Sequence, residues 1–337
     1  MFSEESRKAM ILVTDYLPAD GTTDVSDALQ ALIDENPNRT LYFPDGTYLI
    51  SKPILTPADP KRSVALRFDN FATLKAAPSW DSDEAMLRLG ASHPANDIRT
   101  PGSNYSLVGG IFDGSSVAKG ISIDGGRETM IRDVSMKQVQ VGLHIKWGAN
   151  SASSDCDILN VNIVGNGKPD SIGVLLEGYD NTLTNMRIAD VHIGLDIRSA
   201  GNSLRNLHPL YTCDYTDYQN SCGFYDHTGS NWYSFCYSDH FGNGFRFADG
   251  VTSILDSCFC MWYTNRGEYQ TAILADGKFN SIFKNYKIGF HKDSTANKIL
   301  SVAEDGGTGL LDRLLFNLPL VNDTAHLPYV IGGIHHI

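Results

Sequence analysis

From Lys119 to Asp249 the chain repeats one phrase. A glycine is followed by apolar residues at alternate positions and, further on, by an Asn or Asp between apolar neighbours. The glycines are Gly120, Gly142, Gly173, Gly194, Gly223 and Gly244, at steps of 22, 31, 21, 29 and 21 residues. The alternation has the two-residue period of a strand, and phrases at this spacing mark a coil of stacked strands. The pattern predicts an all-β solenoid in which each turn completes the core of its neighbours.

Alternation also assigns faces. The first and third residues after each glycine are apolar and point inward: Ile121 and Ile123, Leu143 and Ile145, Val174 and Leu176, Leu195 and Ile197, Phe245 and Phe247. The second and fourth point outward, giving a column of ionisable groups that includes Asp124, His144, Lys146, Glu177, Asp196, Arg198, Tyr225, His227 and Arg246. Asp133, Asn160, Asn185, Asn206, Asp256 and Asn285 share a second register, interrupted by Phe235. Stacked Asn side chains can hydrogen-bond along a coil and tolerate a left-handed corner, so this column reads as structural. The extra residues of the long repeats fall at 164–171, 209–221 and 260–271, where loops are expected to project from one edge.

The start of the chain is different. Asp24 to Glu35 reads as a helix with Val25, Ala28, Leu29, Leu32 and Ile33 on one face, Thr23 or Asp24 as its cap, and Asn36-Pro37-Asn38 as its stop. Two short strands should follow around Pro44-Asp45-Gly46. An amphipathic helix here is suited to plugging the open first end of a parallel coil. The expected organisation is a cap and first strands over 1–50, rungs with projecting loops over 51–309, and a C-terminal cap and tail over 310–337, with the apolar run Leu310 to Val321 closing the far end.

Ala19-Asp20-Gly21-Thr22-Thr23-Asp24, the helix, and the Leu41 to Ile50 segment resemble the opening of the pectate-lyase-like, single-stranded right-handed β-helix superfamily. Val108 to Gly114 resembles a further rung. The resemblance implies a right-handed parallel β-helix and a carbohydrate ligand; the superfamily hosts hydrolases, lyases, epimerases and tailspikes, so it implies no single reaction. Asn202, His208-Pro209, Gly223-Phe224-Tyr225 and Gly244-Phe245-Arg246 look similar to tailspike-type helices, which implies a homotrimer. The Asn-x-Asp, Asp-Asp, Gly-His-Gly and Arg-x-Lys set of polygalacturonases is missing, as is an Asp cluster like the calcium site of classical pectate lyases.

Composition narrows the partners. The 337 residues carry a formal charge of −12, which argues against nucleic acid or an anionic membrane as the main partner. No apolar run approaches the roughly 18 residues of a membrane span. Met1 to Met10 is charged and lacks a leader's apolar core, so a cytoplasmic or phage protein is expected, or a secreted one shorn of its leader. The six cysteines lack zinc-site spacing. They read as buried thiols, with a Cys213–Cys222 disulfide as the alternative.

Glycosidic cleavage by hydrolysis needs two carboxylates, and elimination from a uronic acid needs a base and a charge neutraliser. Glu177, Asp196, Asp226 and Asp239 are the candidate catalytic residues, with Glu177 and Asp196 expected to meet on neighbouring rungs. Arg198, His208, Tyr225, His227 and Arg246 would orient the sugar, and Tyr211, Tyr215, Tyr218, Trp262 and Tyr263 on the long loops would stack on it. No metal and no cofactor are expected. Three plainer readings stand beside these: Asp124, Lys146, Glu177 and Arg198 as a salt ladder, Asp226 as a turn residue, and Asp239-His240 as an ordinary turn. The partner is then an oligo- or polysaccharide, either cleaved or merely bound, unless the coil is purely structural.

Overall fold

The computed structural model describes residues 10–91, 105–147, 153–213, 217–264, 269–294, 296–317 and 324–336. The protein is a right-handed parallel β-helix. By internal contacts it divides into two units, residues 1–166 with 177–181 and residues 167–176 with 182–337. Each is built from the same rung.

In the first unit one sheet carries Ile54–Leu55, Ala85–Leu89, Lys119–Asp124 and Val141–Lys146, all parallel, with Ile54 beside Leu87, Leu87 beside Ile121 and Ile121 beside Leu143. The remaining strands form two further columns, one running from Met10–Leu12 through Thr40–Phe43 and Ala65–Phe68, the other from Asp20–Asp24 through Gly46–Ile50 and Ala72–Ala76. In the second unit one sheet carries Ile172–Leu176, Ile193–Ile197, Cys222–Asp226, Asn243–Phe247, Tyr269–Ala275 and Ala296–Val302, again all parallel.

The recurring glycine has a steric cause. A Cβ on Gly120 would stand 2.5 Å from the Gly142 carbonyl oxygen, and one on Gly173 would stand 2.5 Å from that of Gly194. The residues after it are buried as the alternation predicts, and like positions stack: the Phe224 and Phe245 rings lie 4.7 Å apart and nearly parallel.

The second register turns the corner. Asp133, Asn160, Asn185, Asn206 and Asn285 all have φ between 51° and 59°. Asn160 donates to Asp133 at 2.7 Å, Asn206 to Asn185 at 3.0 Å and Asn285 to Asp256 at 3.0 Å. Two details differ from expectation. Asp256 stands one residue early, and Ser257 (φ 54°) takes the left-handed position; Phe235 (φ 55°) does not break the column but occupies it, with its ring exposed. Backbone position, rather than residue type, is what the stack conserves there.

The helix spans Ser26–Glu35 and buries Leu29, Leu32 and Ile33, while Ala28 faces out. Asp24 accepts the Ser26 amide at 3.0 Å. Gln30 accepts the Leu55 amide at 2.8 Å and donates to the Leu55 carbonyl at 2.9 Å. Leu55 lies in the first strand of its column, so this side chain stands in for the backbone of an absent preceding rung. Leu310–Phe316 is flanked by Ile282–Gly289 and Val330–His336, so it is a further strand, with one more beyond it. All six cysteines are buried thiols, and burial pushes those of Cys156 and Cys222 up to about 12; the Cys213–Cys222 bridge is not formed.

Replacing Gln30 by Ala removes both edge bonds and is expected to lower stability by about 1–3 kcal/mol. Urea denaturation followed by far-UV circular dichroism measures it; an unchanged midpoint would mean that the edge is satisfied by other means.

Candidate functional site

In the second unit the connections leading into the glycine-phrase strands differ in length. Eleven residues, 211–221, separate Ser203–Leu210 from Cys222–Asp226, and seven, 262–268, separate Phe259–Met261 from Tyr269–Ala275. Between them, Tyr237–Asp239 passes to Asn243–Phe247 through His240, Phe241 and Gly242 alone. Gly242 is needed for that passage, since a Cβ there would collide with the Tyr218 carbonyl and stand 3.0 Å from the Gln219 Cα. The flanking connections are pinned to the short one: Asn243 donates to the Gln219 carbonyl at 2.8 Å and Trp262 Nε1 to that of Phe241 at 2.8 Å. The short passage is thus hydrogen-bonded to the connection on either side of it.

Asp239 ends the strand that leads into that passage and is 4% exposed. Its Oδ1 is held by His240 Nδ1. His240 Nε2 accepts the Tyr263 and Thr264 amides, each at 2.9 Å, so this nitrogen carries no proton and Nδ1 is the donor. Asp239 Oδ2 is less well served: Tyr237 approaches it at 3.4 Å and His208 Nε2 at 3.5 Å, the outer edge of hydrogen-bond distance. The His208 ring stacks on Tyr237 at 3.6 Å. Burial drives the Asp239 pKa upward, but the interactions with His208 and His240 outweigh it and hold the carboxyl below its usual range. The Tyr263 ring centroid lies 5.6 Å from that of His240, and Tyr263 is 63% exposed.

A second acidic cluster occupies the outward face of the glycine-phrase strands. Asp196, 2% exposed, accepts from His227 Nε2 and from Arg198 Nη2, both at 2.8 Å. Burial opposes ionisation, but these two donors prevail and lower its pKa. On the next rung Tyr225 stands beside Asp196, its ring centroid 3.7 Å from that of His227 and 4.3 Å from the Arg246 guanidinium carbon. Asp276 closes the row, accepting Tyr225 Oη at 2.8 Å and Arg246 Nε at 3.0 Å.

Residues 11–85 match the family described as rhamnogalacturonase A/epimerase, pectate lyase-like. Similar solved structures include the tailspike of E. coli bacteriophage HK620 in complex with a pentasaccharide, at 10% identity and a TM-score of 0.70, over 99% of this chain and 65% of that one. The alginate lyase of Paenibacillus sp. str. FPU-7 matches at 13% identity and 0.59, over 83% and 97%. ORF18 of Geobacillus virus E2 matches at 13% and 0.52, over 95% and 63%. The fold is the pectate-lyase-like right-handed β-helix. The chain thus spans about 65% of the length of the tailspike it matches. No curated protein matches the sequence.

Several site expectations change once side chains are seen on this β-helix. Asp196 has Leu175, not Glu177, as its neighbour on the preceding strand. Glu177 belongs to the first unit, where it meets His144 Nε2 at 2.8 Å. The salt ladder is re-paired too, with Lys146 on Glu84 at 3.0 Å and Arg198 on Asp196. Asp226 points inward, 1% exposed, and accepts from Tyr233, Ser253, Asn231 and the Gly229 amide at 2.7 to 3.3 Å. It is a core anchor, satisfied by donors rather than facing solvent. Tyr211 and Trp262 are buried against Phe241 and Phe290 and present no ring to a ligand. Tyr218 is half-buried, edge-on to Tyr211. The Tyr225 ring is occupied by His227 and Arg246. Tyr215 lies outside the described residues. Among the described residues no group of three or more His, Cys, Asp or Glu could hold a metal ion.

Asp276 was not anticipated. The signal was present: Arg246 pairs with Leu274, and alternation from there puts Ala275 inward and Asp276 outward. The strand begins without the repeat's glycine, which hid it.

Both Asp196 and Asp239 have folded pKa values below the unfolded value. Their contribution to stability is complete above about pH 4 and is lost as pH falls through the folded values. Thermal midpoints measured from about pH 7 to about pH 2 should therefore fall more steeply for the native protein than for an Asp196→Asn, Asp239→Asn double variant.

Proposed function

We propose that this β-helix binds an oligo- or polysaccharide and cleaves a glycosidic bond, with Asp239 as the ionised carboxylate at the reacting centre. What carries the reading is the unequal treatment of its two oxygens. Oδ1 is anchored by a histidine that two backbone amides hold in one tautomer, while Oδ2 meets only long approaches. Such a group can take a proton from water or attack a sugar carbon, the ionised half of a carboxylate hydrolase. Asp196, engaged on both oxygens, is better suited to fixing the outer face. Exposed Tyr263 offers a sugar ring a stacking face. The tailspike crystallised with a pentasaccharide and the alginate lyase support a glycan as the partner.

A second reading is elimination from a uronic acid, favoured by Arg187. It pairs in register with His208, placing an exposed cation on the preceding rung beside the His208–Asp239 pair. There Arg187 would neutralise the uronate carboxylate and His208, backed by Asp239, would take the proton alpha to it. The electron pair left behind forms the ring double bond, and the C–O bond to the leaving sugar breaks. Tyr237, its pKa pushed up to about 12 by burial and by Asp239, retains a proton to give to the leaving oxygen.

Digestion of a glycan panel with product detection decides between them. Hydrolysis gives new reducing ends alone; elimination also gives an ultraviolet-absorbing unsaturated uronate. In either case Asp239→Asn should lower turnover about 100-fold or more. Full turnover in that variant would remove Asp239 from the chemistry, and binding without cleavage in the native protein would leave a glycan-binding module.

We also infer a homotrimer. Trp232, Ile254, Ile282 and Leu310 lie in one register on four successive rungs, Trp232 and Ile254 exposed and the other two half-exposed, forming an apolar stripe that side-by-side packing of copies would bury. Sedimentation equilibrium should give three times the chain mass, and Ile254→Asp should shift it toward one. A native protein found only as monomer overturns this inference.

A further inference from the structure

The first unit contains a groove that neither acidic cluster of the second unit touches. It has a volume of about 680 Å³, within the roughly 300–1,000 Å³ typical of small-ligand sites. It lies where Ala65–Phe68 turns into Ala72–Ala76, and Phe71, in that turn, is among its lining residues and is 73% exposed. A phenylalanine that water reaches over most of its surface forgoes most of the stabilisation that burial of its ring would bring. Its position is nonetheless built: its amide donates to Asp45 Oδ1 at 2.9 Å and its carbonyl accepts Thr73 Oγ1 at 3.1 Å.

Asp45, Arg67, Asp69, Asn70 and Asp133 line the same groove. Three of these carboxylates spend one oxygen on structure. Asp45 holds the Phe71 amide, Asp69 accepts Tyr42 Oη at 2.6 Å, and Asp133 accepts Asn160 at 2.7 Å. Among the described residues the other carboxylate oxygen of each accepts no side-chain or amide hydrogen bond, and Arg67 makes no ion pair. The floor is kept open by Gly109, at φ 77°, where a Cβ would collide with the Phe68 carbonyl.

We propose that this groove is a second, non-catalytic glycan site, and that it takes neutral sugars. The ring supplies a face for the C–H side of a pyranose, carboxylates accept from hydroxyls, and Arg67 and Asn70 donate to them. Charge selects the class. Three aspartates against one arginine leave the lining at a net −2, which disfavours uronates, sulfated glycans and other polyanions. The site rests on the glycan reading above for its ligand class but on none of the residues assigned to cleavage.

The test uses full-length Asp239→Asn protein with ring-labelled phenylalanine, titrated by NMR with cello-, malto-, xylo- and galacto-oligosaccharides and, as the anionic control, oligogalacturonate. The Phe71 ring signals, assigned through Phe71→Leu, should shift with at least one neutral series and not with oligogalacturonate. Phe71→Ala and Arg67→Ala should each weaken that binding by roughly 3- to 10-fold in calorimetry. Absence of any Phe71 shift across the neutral series overturns the proposal, as does unchanged affinity in both variants or a stronger response to oligogalacturonate. Because the readout is the Phe71 ring, a protein that cleaves nothing can still uphold this site, and one that cleaves glycans can still refute it.

Discussion

In a parallel coil the backbone hydrogen bonds run along the stack, so each residue lies about 4.8 Å above the one in the same position of the rung below. A side chain is thereby committed to the company of its own counterparts. That suits glycine, whose missing Cβ lets the Gly194 carbonyl approach Gly173, and it suits flat rings such as Phe224 and Phe245. It also suits Asn at the corner. A left-handed residue costs roughly 1–2 kcal/mol, and the hydrogen bond from each Asn to its counterpart, as between Asn206 and Asn185, offsets part of that cost.

The same constraint gives chemically identical carboxylates different fates. Asp226 falls at an inward position, where a charge is tolerable only if several donors meet it; Tyr233, Ser253 and Asn231 do. Asp196 falls at an outward position with His227 and Arg198 within reach, and both its oxygens are taken. Asp239 ends its strand, with His240 holding Oδ1 and only longer approaches from Tyr237 and His208 at Oδ2. The chemistry open to each follows from how many lone pairs its neighbours leave unclaimed.

The period, the inward columns and the helix were legible because each depends on one repeated position. Ile121, Leu143, Leu195 and Phe245 are all buried, and the helix needed only its own apolar face. What was not legible depends on pairing between rungs. The expected meeting of Glu177 and Asp196 set the fourth residue after one glycine against the second after the next, whereas in register Asp196 faces Leu175, and Arg198 and His227 reach it first. Tyr211 and Trp262 read as projecting rings because their loops are long, yet long connections fold back on the short one between them and bury their first aromatic residue. Asp239 read as a candidate carboxylate with an ordinary turn as its alternative; the two amides that fix the His240 tautomer come from Tyr263 and Thr264, on the following rung, and no local pattern announces them.

Stacking in register also explains why an open polar site falls at a corner rather than on a face. On the outward face of the second unit, charges of opposite sign lie on adjacent rungs or two residues apart, as Asp196, Arg198, Arg246 and Asp276 do, and they neutralise one another. Each salt bridge there uses donors that a ligand would otherwise need. At a corner the connections differ in length from rung to rung, so like positions no longer overlie and the exchange of partners along the stack is interrupted. Asp239 is the last position in register, with Leu210 and Met261 on either side, before connections of eleven, three and seven residues diverge, and there it keeps a loosely held oxygen. Phe71, in the turn after Phe68, keeps a bare ring. In a fold whose regularity satisfies its own polar groups, unspent binding capacity collects where the regularity lapses.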